Sequence, residues 1–329
     1  MELPGTLLIS GKEVASMLTI EACITAVEAA FRLHAEGRAL PPKVMGIHTE
    51  GGGFHIKAGI LDLSRSWFVA KINANFPANP AQRGLPTIQG IIAIMDGTDG
   101  RLLALIDSIE ITIIRTGAAT AVAAKYLAVD NAATVTICGC GNQGRISLKA
   151  LMAVRRIKNV YAFDIDEKQA QQFSKDFSES FKIIPVSAGQ LSGALKDSQM
   201  VITCTPSKQP FIRAGDIMPG TFIAAVGADS EEKQELFPDL LSTSKIVADL
   251  AVQSAGFGEL HHAISGGLIT KDGIHAELGE IIAGKKPGRE SNDEIIVFDS
   301  TGTALQDIAA AAIVYEKASA GGPGIKFNF

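Results

Sequence analysis

The spacing of apolar and polar positions divides the chain into regions of different period. Ile20, Ile24, Val27, Phe31 and His34 recur at three- and four-residue steps, which predicts a helix with one buried face. Ser10-Gly11-Lys12-Glu13 reads as a capping box opening a shorter helix before it. Gly37 reads as the stop, and Pro41-Pro42 as a block to restarting the helix. From Lys43 to about Asp107, short extended segments such as Trp67 to Ile72 and Ile91 to Met95 alternate with Gly, Pro and Asn turns. Asp96-Gly97-Thr98-Asp99-Gly100 is a hairpin-like connection there, and an Ala-rich helix is predicted from Thr116 to Ala128.

Beyond Ala133 the apolar positions become consecutive. The runs are Thr134 to Cys138, Val160 to Phe163, Met200 to Thr203, Phe222 to Val226, Ile246 to Ala248 and Ile295 to Phe298. Such runs suit parallel strands covered on both faces. Their alternation with helical stretches predicts an α/β fold with a doubly wound parallel sheet of the Rossmann kind. A last helix is expected over about Ala304 to Ala318, and Gly321-Gly322-Pro323-Gly324 reads as a loose terminus.

Composition narrows the classes of function. The 329 residues suffice for two domains, and 47% hydrophobic with 20% charged residues is a globular balance. The net charge of -5, without a basic run, argues against a nucleic-acid partner. Cys23, Cys138, Cys140 and Cys204 form no C-x-x-C pair, so reduced thiols and a reducing compartment are expected. Met1 to Gly5 lacks a signal layout, and no apolar run approaches the ~20 residues of a membrane span. A cytoplasmic protein without a membrane partner is therefore expected.

Gly139-Cys140-Gly141-Asn142-Gln143-Gly144 matches the dinucleotide fingerprint G-x-G-x-x-G. Its context strengthens it: the strand from Thr134 precedes it, a helix-compatible segment from Arg145 follows, and Asp164 ends the next strand. Gly139 permits a tight turn, Gly141 a close pyrophosphate and Gly144 close helix–strand packing; the helix start supplies free N–H groups. Asp164 can accept hydrogen bonds from ribose hydroxyls and would repel a 2′-phosphate, which favours NAD over NADP. Other strand ends should line the same crevice, notably Thr205-Pro206-Ser207, Val226-Gly227-Ala228-Asp229 and Asp299-Ser300-Thr301-Gly302.

Taken together, the motifs resemble those of the ornithine cyclodeaminase/μ-crystallin family, most nearly its archaeal alanine dehydrogenase branch. The likeness runs through Pro41-Pro42-Lys43, Lys71, Asn79-Pro80, Gly84-Leu85-Pro86-Thr87 and Arg115-Thr116-Gly117-Ala118-Ala119. It continues in the Gly139 to Gly144 loop, Gly227-Ala228-Asp229, Lys233-Gln234-Glu235-Leu236, Glu277-Leu278-Gly279-Glu280-Ile281 and Phe298-Asp299-Ser300-Thr301-Gly302. The resemblance implies a homodimer and hydride transfer at the α-carbon of a small amino or imino acid. It also implies a discontinuous α+β substrate-binding and dimerisation domain, residues 1–115 completed by 304–329, beside an NAD-binding domain of residues 116–303.

Such chemistry needs a cation for the carboxylate and a group that handles the amine proton. Arg115, just before the Ala-rich helix, suits a bidentate carboxylate contact, and the resemblance assigns it that role. Lys71, in the apolar strand Phe68-Val69-Ala70-Lys71-Ile72, can anchor the carboxylate or shuttle a proton. The resemblance places Lys43 near the carboxylate and Asp229 near an amine. Lys57-Ala58 departs from the Met-Pro common in the family, which points to an added cation for a second acidic group, to a different anchoring arrangement for the carboxylates, or to an exposed strand lysine. The histidines show no ligand spacing, and no metal is expected. Three functions follow: a net-redox amino-acid dehydrogenase or cyclic-imine reductase, a redox-neutral ornithine or lysine cyclodeaminase, and a cofactor-binding protein without turnover.

Overall fold

The computed structural model describes residues 5–179 and 182–328, so Met1 to Pro4 of the leader reading lie outside the described residues. In chain order the strands are β1 (Thr6–Ile9), β2 (Ala39–Thr49), β3 (Gly52–Asp62), β4 (Ser66–Asn75), β5 (Ile88–Asp96) and β6 (Leu102–Asp107). Next come β7 (Thr134–Cys138), β8 (Asn159–Phe163), β9 (Ile183–Val186), β10 (Met200–Thr203) and β11 (Phe222–Ala225). The last are β12 (Lys245–Ala248), β13 (Ala276–Glu277), β14 (Ile296–Asp299) and β15 (Ile325–Phe327). The chain splits into two compact units, Met1–Arg115 with Thr303–Phe329, and Thr116–Gly302.

The first unit holds a seven-stranded sheet in the order β15-β1-β6-β5-β4-β3-β2. β2 to β6 form an antiparallel meander, and alternation gives it two unlike faces. The inner face presents Leu61, Trp67, Val69, Ile92 and Ile94, all buried. The helices Ile20–Ala35 and Ala304–Ser319 pack together, and the second lies along β3 and β4. The side chains of Ala304 and Ile308 reach Gly59, and Tyr315 meets Trp67 edge to face at 5.5 Å.

Several readings change here. The tail is not loose, because β15 pairs antiparallel with β1 through Thr6↔Phe327. Pro41 and Pro42 stand within β2, an edge strand, where a missing N–H costs no ladder bond. The Ala-rich helix begins at Ser108, eight residues before the predicted start, so Arg115 lies inside it. Asp107 explains the early start: its carboxylate accepts from the N–H of Ile109 at 2.8 Å and caps the helix. The β-branched stretch Ile111-Thr112-Ile113-Ile114 masks that signal in sequence.

The second unit is a parallel sheet of eight strands in the order β13-β12-β14-β11-β10-β7-β8-β9. From β9 to β11 this is the doubly wound order 3-2-1-4-5, with its switch between β7 and β10. Every residue of β7, β10, β11 and β14 is buried, as their unbroken apolar character requires. β9, whose pattern is broken by Pro185, escapes a reading based on apolar runs. Among the described residues no single helix is long and apolar enough to cross a membrane.

Candidate active site

At the switch point, the turn after β7 is shaped for a dinucleotide. Gly139 has φ +103, a conformation L side chains rarely adopt, and its N–H donates to Phe163 O at 2.8 Å. A Cβ on Gly144 would lie 2.0 Å from Gly139 O, so only glycine lets the helix start this close to the strand. At Gly141 a Cβ would meet nothing within 4 Å, so that backbone faces open space. Gly141 caps the helix Asn142–Val154, whose first residues are Asn142 and Gln143. Free N–H groups and the positive end of the helix dipole are therefore available there to an anionic group such as a pyrophosphate.

Gly139, Gly141, Asp164, Thr205 and Pro206 line one cavity of about 530 Å³. Asp164 ends β8, and its carboxylate accepts from Cys140 N at 2.8 Å and Asp166 N at 3.0 Å. Those bonds fix one acidic group at the end of the second strand, on the wall of the cavity. Val226, Gly227 and Ser300 stand at the ends of the adjacent strands β11 and β14, with Val226 N and Ser300 N bonded to Thr203 O and Ala225 O. The fit to NAD thus rests on the glycine cradle, the helix start and the acid at the second strand end.

Sequence reasoning missed the group that ties these loops together. Glu235, fully buried, accepts from Thr205 N at 2.7 Å, Thr205 Oγ1 at 2.7 Å and Gly227 N at 2.9 Å. Burial raises its carboxyl above the ordinary range, against the pull of those donors. Behind it, Glu259 accepts from the N–H groups of Glu235 and Leu236, and Asp299 from those of Glu259 and Leu260. Burial pushes Asp299 up to about 8. Asp229 is exposed after β11, with its carboxylate 2.6 Å from Lys233 Nζ.

The other predicted residues belong to the first unit. Lys71, 3% exposed on the inner face of β4, lies 2.8 Å from both oxygens of Asp307. Arg115 Nε lies 3.1 Å from the same carboxylate, and Arg115 Nη1 donates to Gln306 Oε1 at 2.6 Å. Burial and the Arg115 charge pull the Lys71 ammonium down to about 7, against the opposing pull of Asp307. Burial would raise Asp307, but Lys71 and Arg115 outweigh it and hold the carboxyl below its usual value. Lys57 is buried and directly opposite Lys71 across β3 and β4, so the exposed-lysine alternative is excluded. Lys43 is exposed on β2 opposite Ala58, one residue out of step with that pair. Asp307 and Gln306 were legible only as two polar residues in an Ala-rich helix.

A doubly wound sheet with this cradle and strand-end acid defines a dinucleotide-binding protein of the Rossmann class. The family model of the ornithine cyclodeaminase/mu-crystallin family matches residues 6–322, and the chain belongs to that family. An alanine dehydrogenase of Archaeoglobus fulgidus is 39% identical over 329 residues, 98% of each chain. An iminosuccinate reductase of Paracoccus denitrificans is 32% identical, covering 95% of this chain and 96% of that protein. An archaeal alanine dehydrogenase dimer with bound NAD superposes with a TM-score of 0.94 at 38% identity, covering 98% of this chain and 99% of that one. The Δ1-pyrroline-2-carboxylate reductase of Thermococcus litoralis, in complex with NADH and L-proline, gives 0.92 at 31% identity, covering 98% and 100%.

Proposed function

We propose that this chain is an NAD-dependent oxidoreductase that moves a hydride at the α-carbon of a small L-amino acid or its 2-imino acid. The observation that carries the reading is the buried meeting of Lys71 and Arg115 on Asp307, in a chain that also bears the Gly139 to Gly144 cradle. Bound NAD would supply the hydride acceptor for oxidation and, reduced, the donor for reduction. Arg115 and Lys71 hold the substrate carboxylate. Lys71, with its ammonium poised near 7, takes the proton that the amine nitrogen loses on oxidation and returns it on reduction. Asp307 positions both cations. Relatives named alanine dehydrogenase, iminosuccinate reductase and Δ1-pyrroline-2-carboxylate reductase support this reading.

The test is direct. NADH with ammonium and pyruvate, or with a cyclic imino acid, should lose its absorbance steadily and stoichiometrically. Proline formed from ornithine with only catalytic NAD would overturn the net-redox reading in favour of cyclodeamination.

The first unit is proposed as the substrate and dimerisation domain. The outer face of its sheet exposes Met45, Ile47, Phe54, Ile72 and Ile91, which cross-strand pairing places on one side. An apolar sheet face of this kind suits burial against a second copy, and the archaeal structure above is a dimer. Ile72→Lys should convert the dimer to a monomer in sedimentation; a monomeric native protein would refute the assignment.

A further inference from the structure

Cys140 sits between the first two glycines of the cradle, and charged side chains hold its backbone at both ends. Its N–H donates to Asp164 at 2.8 Å, and its carbonyl accepts from Nη1 of Arg145. The backbone N–H of Arg145 donates in turn to Gly141 O at 3.1 Å. Two consecutive carbonyls of the cradle therefore face Arg145. A trans peptide is planar, with its C=O and N–H pointing in opposite directions, and no peptide bond among the described residues is cis. The N–H groups of Gly141 and Asn142 consequently point away from Arg145. The guanidinium is itself aimed by the next helix, Glu167–Asp176. Its Nε and Nη2 donate to one oxygen of Asp176 at 3.1 and 2.7 Å, and its central carbon lies 5.5 Å from the centre of the Phe173 ring. Gln172 donates to the other oxygen at 2.7 Å. The Arg145 and Gln172 bonds hold the Asp176 carboxyl below its usual range. The two side chains are 25% and 37% exposed, and an ion pair so open to water adds little to stability. What the pair supplies is direction.

We infer that Arg145 is a positioning residue for the cofactor: by holding the carbonyls of Cys140 and Gly141, it turns the N–H groups of Gly141 and Asn142 toward the diphosphate of NAD. Consecutive N–H groups aimed to one side make a concavity that favours anions. A Cys140 carbonyl released from Arg145 can rotate and present its negative end to the same phosphates. Arg145 thus acts through the backbone, with its own charge engaged by Asp176 and Cys140 O. The inference goes beyond hydride transfer. It rests on the Gly139 to Gly144 cradle and on no substrate assignment.

The test is calorimetry, with NAD, ADP-ribose and adenosine titrated into the native protein and three variants. Arg145→Met should raise Kd for NAD and ADP-ribose alike by about tenfold, the scale of one charge-assisted hydrogen bond. Adenosine has no diphosphate, so its Kd should stay within about twofold of native. A merely structural loss weakens all three ligands together. Sign separates position from charge. Asp176→Ala frees the guanidinium and leaves the site more positive, yet Kd for NAD should rise by about threefold. Arg145→Lys keeps the charge but lacks the planar fork, so its Kd should stay raised. Unchanged or tighter NAD binding in Asp176→Ala, or native binding in Arg145→Lys, makes Arg145 a plain attractive charge and overturns the proposal. Equal weakening of adenosine and NAD in Arg145→Met overturns it too. Should Arg145→Met fail to fold, Asp176→Ala, changed at a partly exposed site, decides by the direction of its shift. A native protein that binds neither NAD nor ADP-ribose overturns the reading of the cradle itself, an outcome distinct from binding that ignores Arg145.

Discussion

Asp307→Asn removes one charge and almost no volume from the first unit, so its effect is electrostatic. In the native fold the carboxylate, fully buried, is 2.8 Å from Lys71 and 3.1 Å from Arg115. Removing one partner of a buried ion pair costs about 3–5 kcal/mol, because the remaining charge stays desolvated. At roughly 2–4 °C per kcal/mol for a domain of this size, the melting point should fall by about 10 °C. The loss should depend on pH in a definite sense. Asp307 is held below its ordinary value of 3.8, so its contribution is present in full above that value and is lost only as pH falls through the lowered one. Lys71 behaves oppositely. Between about 7 and its ordinary 10.5 the unfolded chain keeps the proton that the folded chain has lost, so stability from this group rises with pH over that interval. At pH 6 the native pair is charged on both sides and Asp307→Asn exposes the full cost. At pH 9 Lys71 is already neutral and only Arg115 loses its partner. Urea unfolding of both proteins at the two pH values measures the difference. A loss below about 1 kcal/mol at pH 6, or the same loss at both pH values, would refute the reasoning.

Three further outcomes are expected. The same Lys71 titration should appear in kcat/KM: reduction, which needs the ammonium, falls as pH rises through about 7, and oxidation, which needs the neutral amine, rises. Profiles with the same sign in both directions would remove Lys71 from the proton path. Asp164→Ser removes the ribose acceptor and the repulsion of a 2′-phosphate, so the KM ratio of NAD to NADP should rise by about tenfold or more, one lost charge-assisted bond. Glu235→Gln turns one acceptor oxygen into a donor facing Thr205 N–H or Gly227 N–H, at a cost of about 1–3 kcal/mol. Weaker NAD binding by calorimetry, with substrate KM moving less, distinguishes a cofactor-positioning role from general loss of stability.

What could be read from the sequence alone was what local pattern encodes. A parallel strand covered on both faces must be apolar at consecutive positions, so β7 and β10 are legible to the residue in Thr134 to Cys138 and Met200 to Thr203. The cradle is legible because glycine is demanded at Gly139 and Gly144 by backbone angle and by contact, and few other arrangements require that spacing. Lys71 stood out because a charge in an apolar strand needs an explanation. Its partner did not, since Asp307 lies 236 residues away in a helix whose composition speaks only of packing. The start of the helix holding Arg115 was hidden by β-branched residues whose local preference the tertiary packing overrides. Tertiary structure alone paired the tail with β1, placed Lys57 opposite Lys71, and brought Asp307 to both Lys71 and Arg115. The physical reason is common to all three: strand register and the docking of a distant helix are set by burial over the whole unit, and no short window of sequence contains that sum.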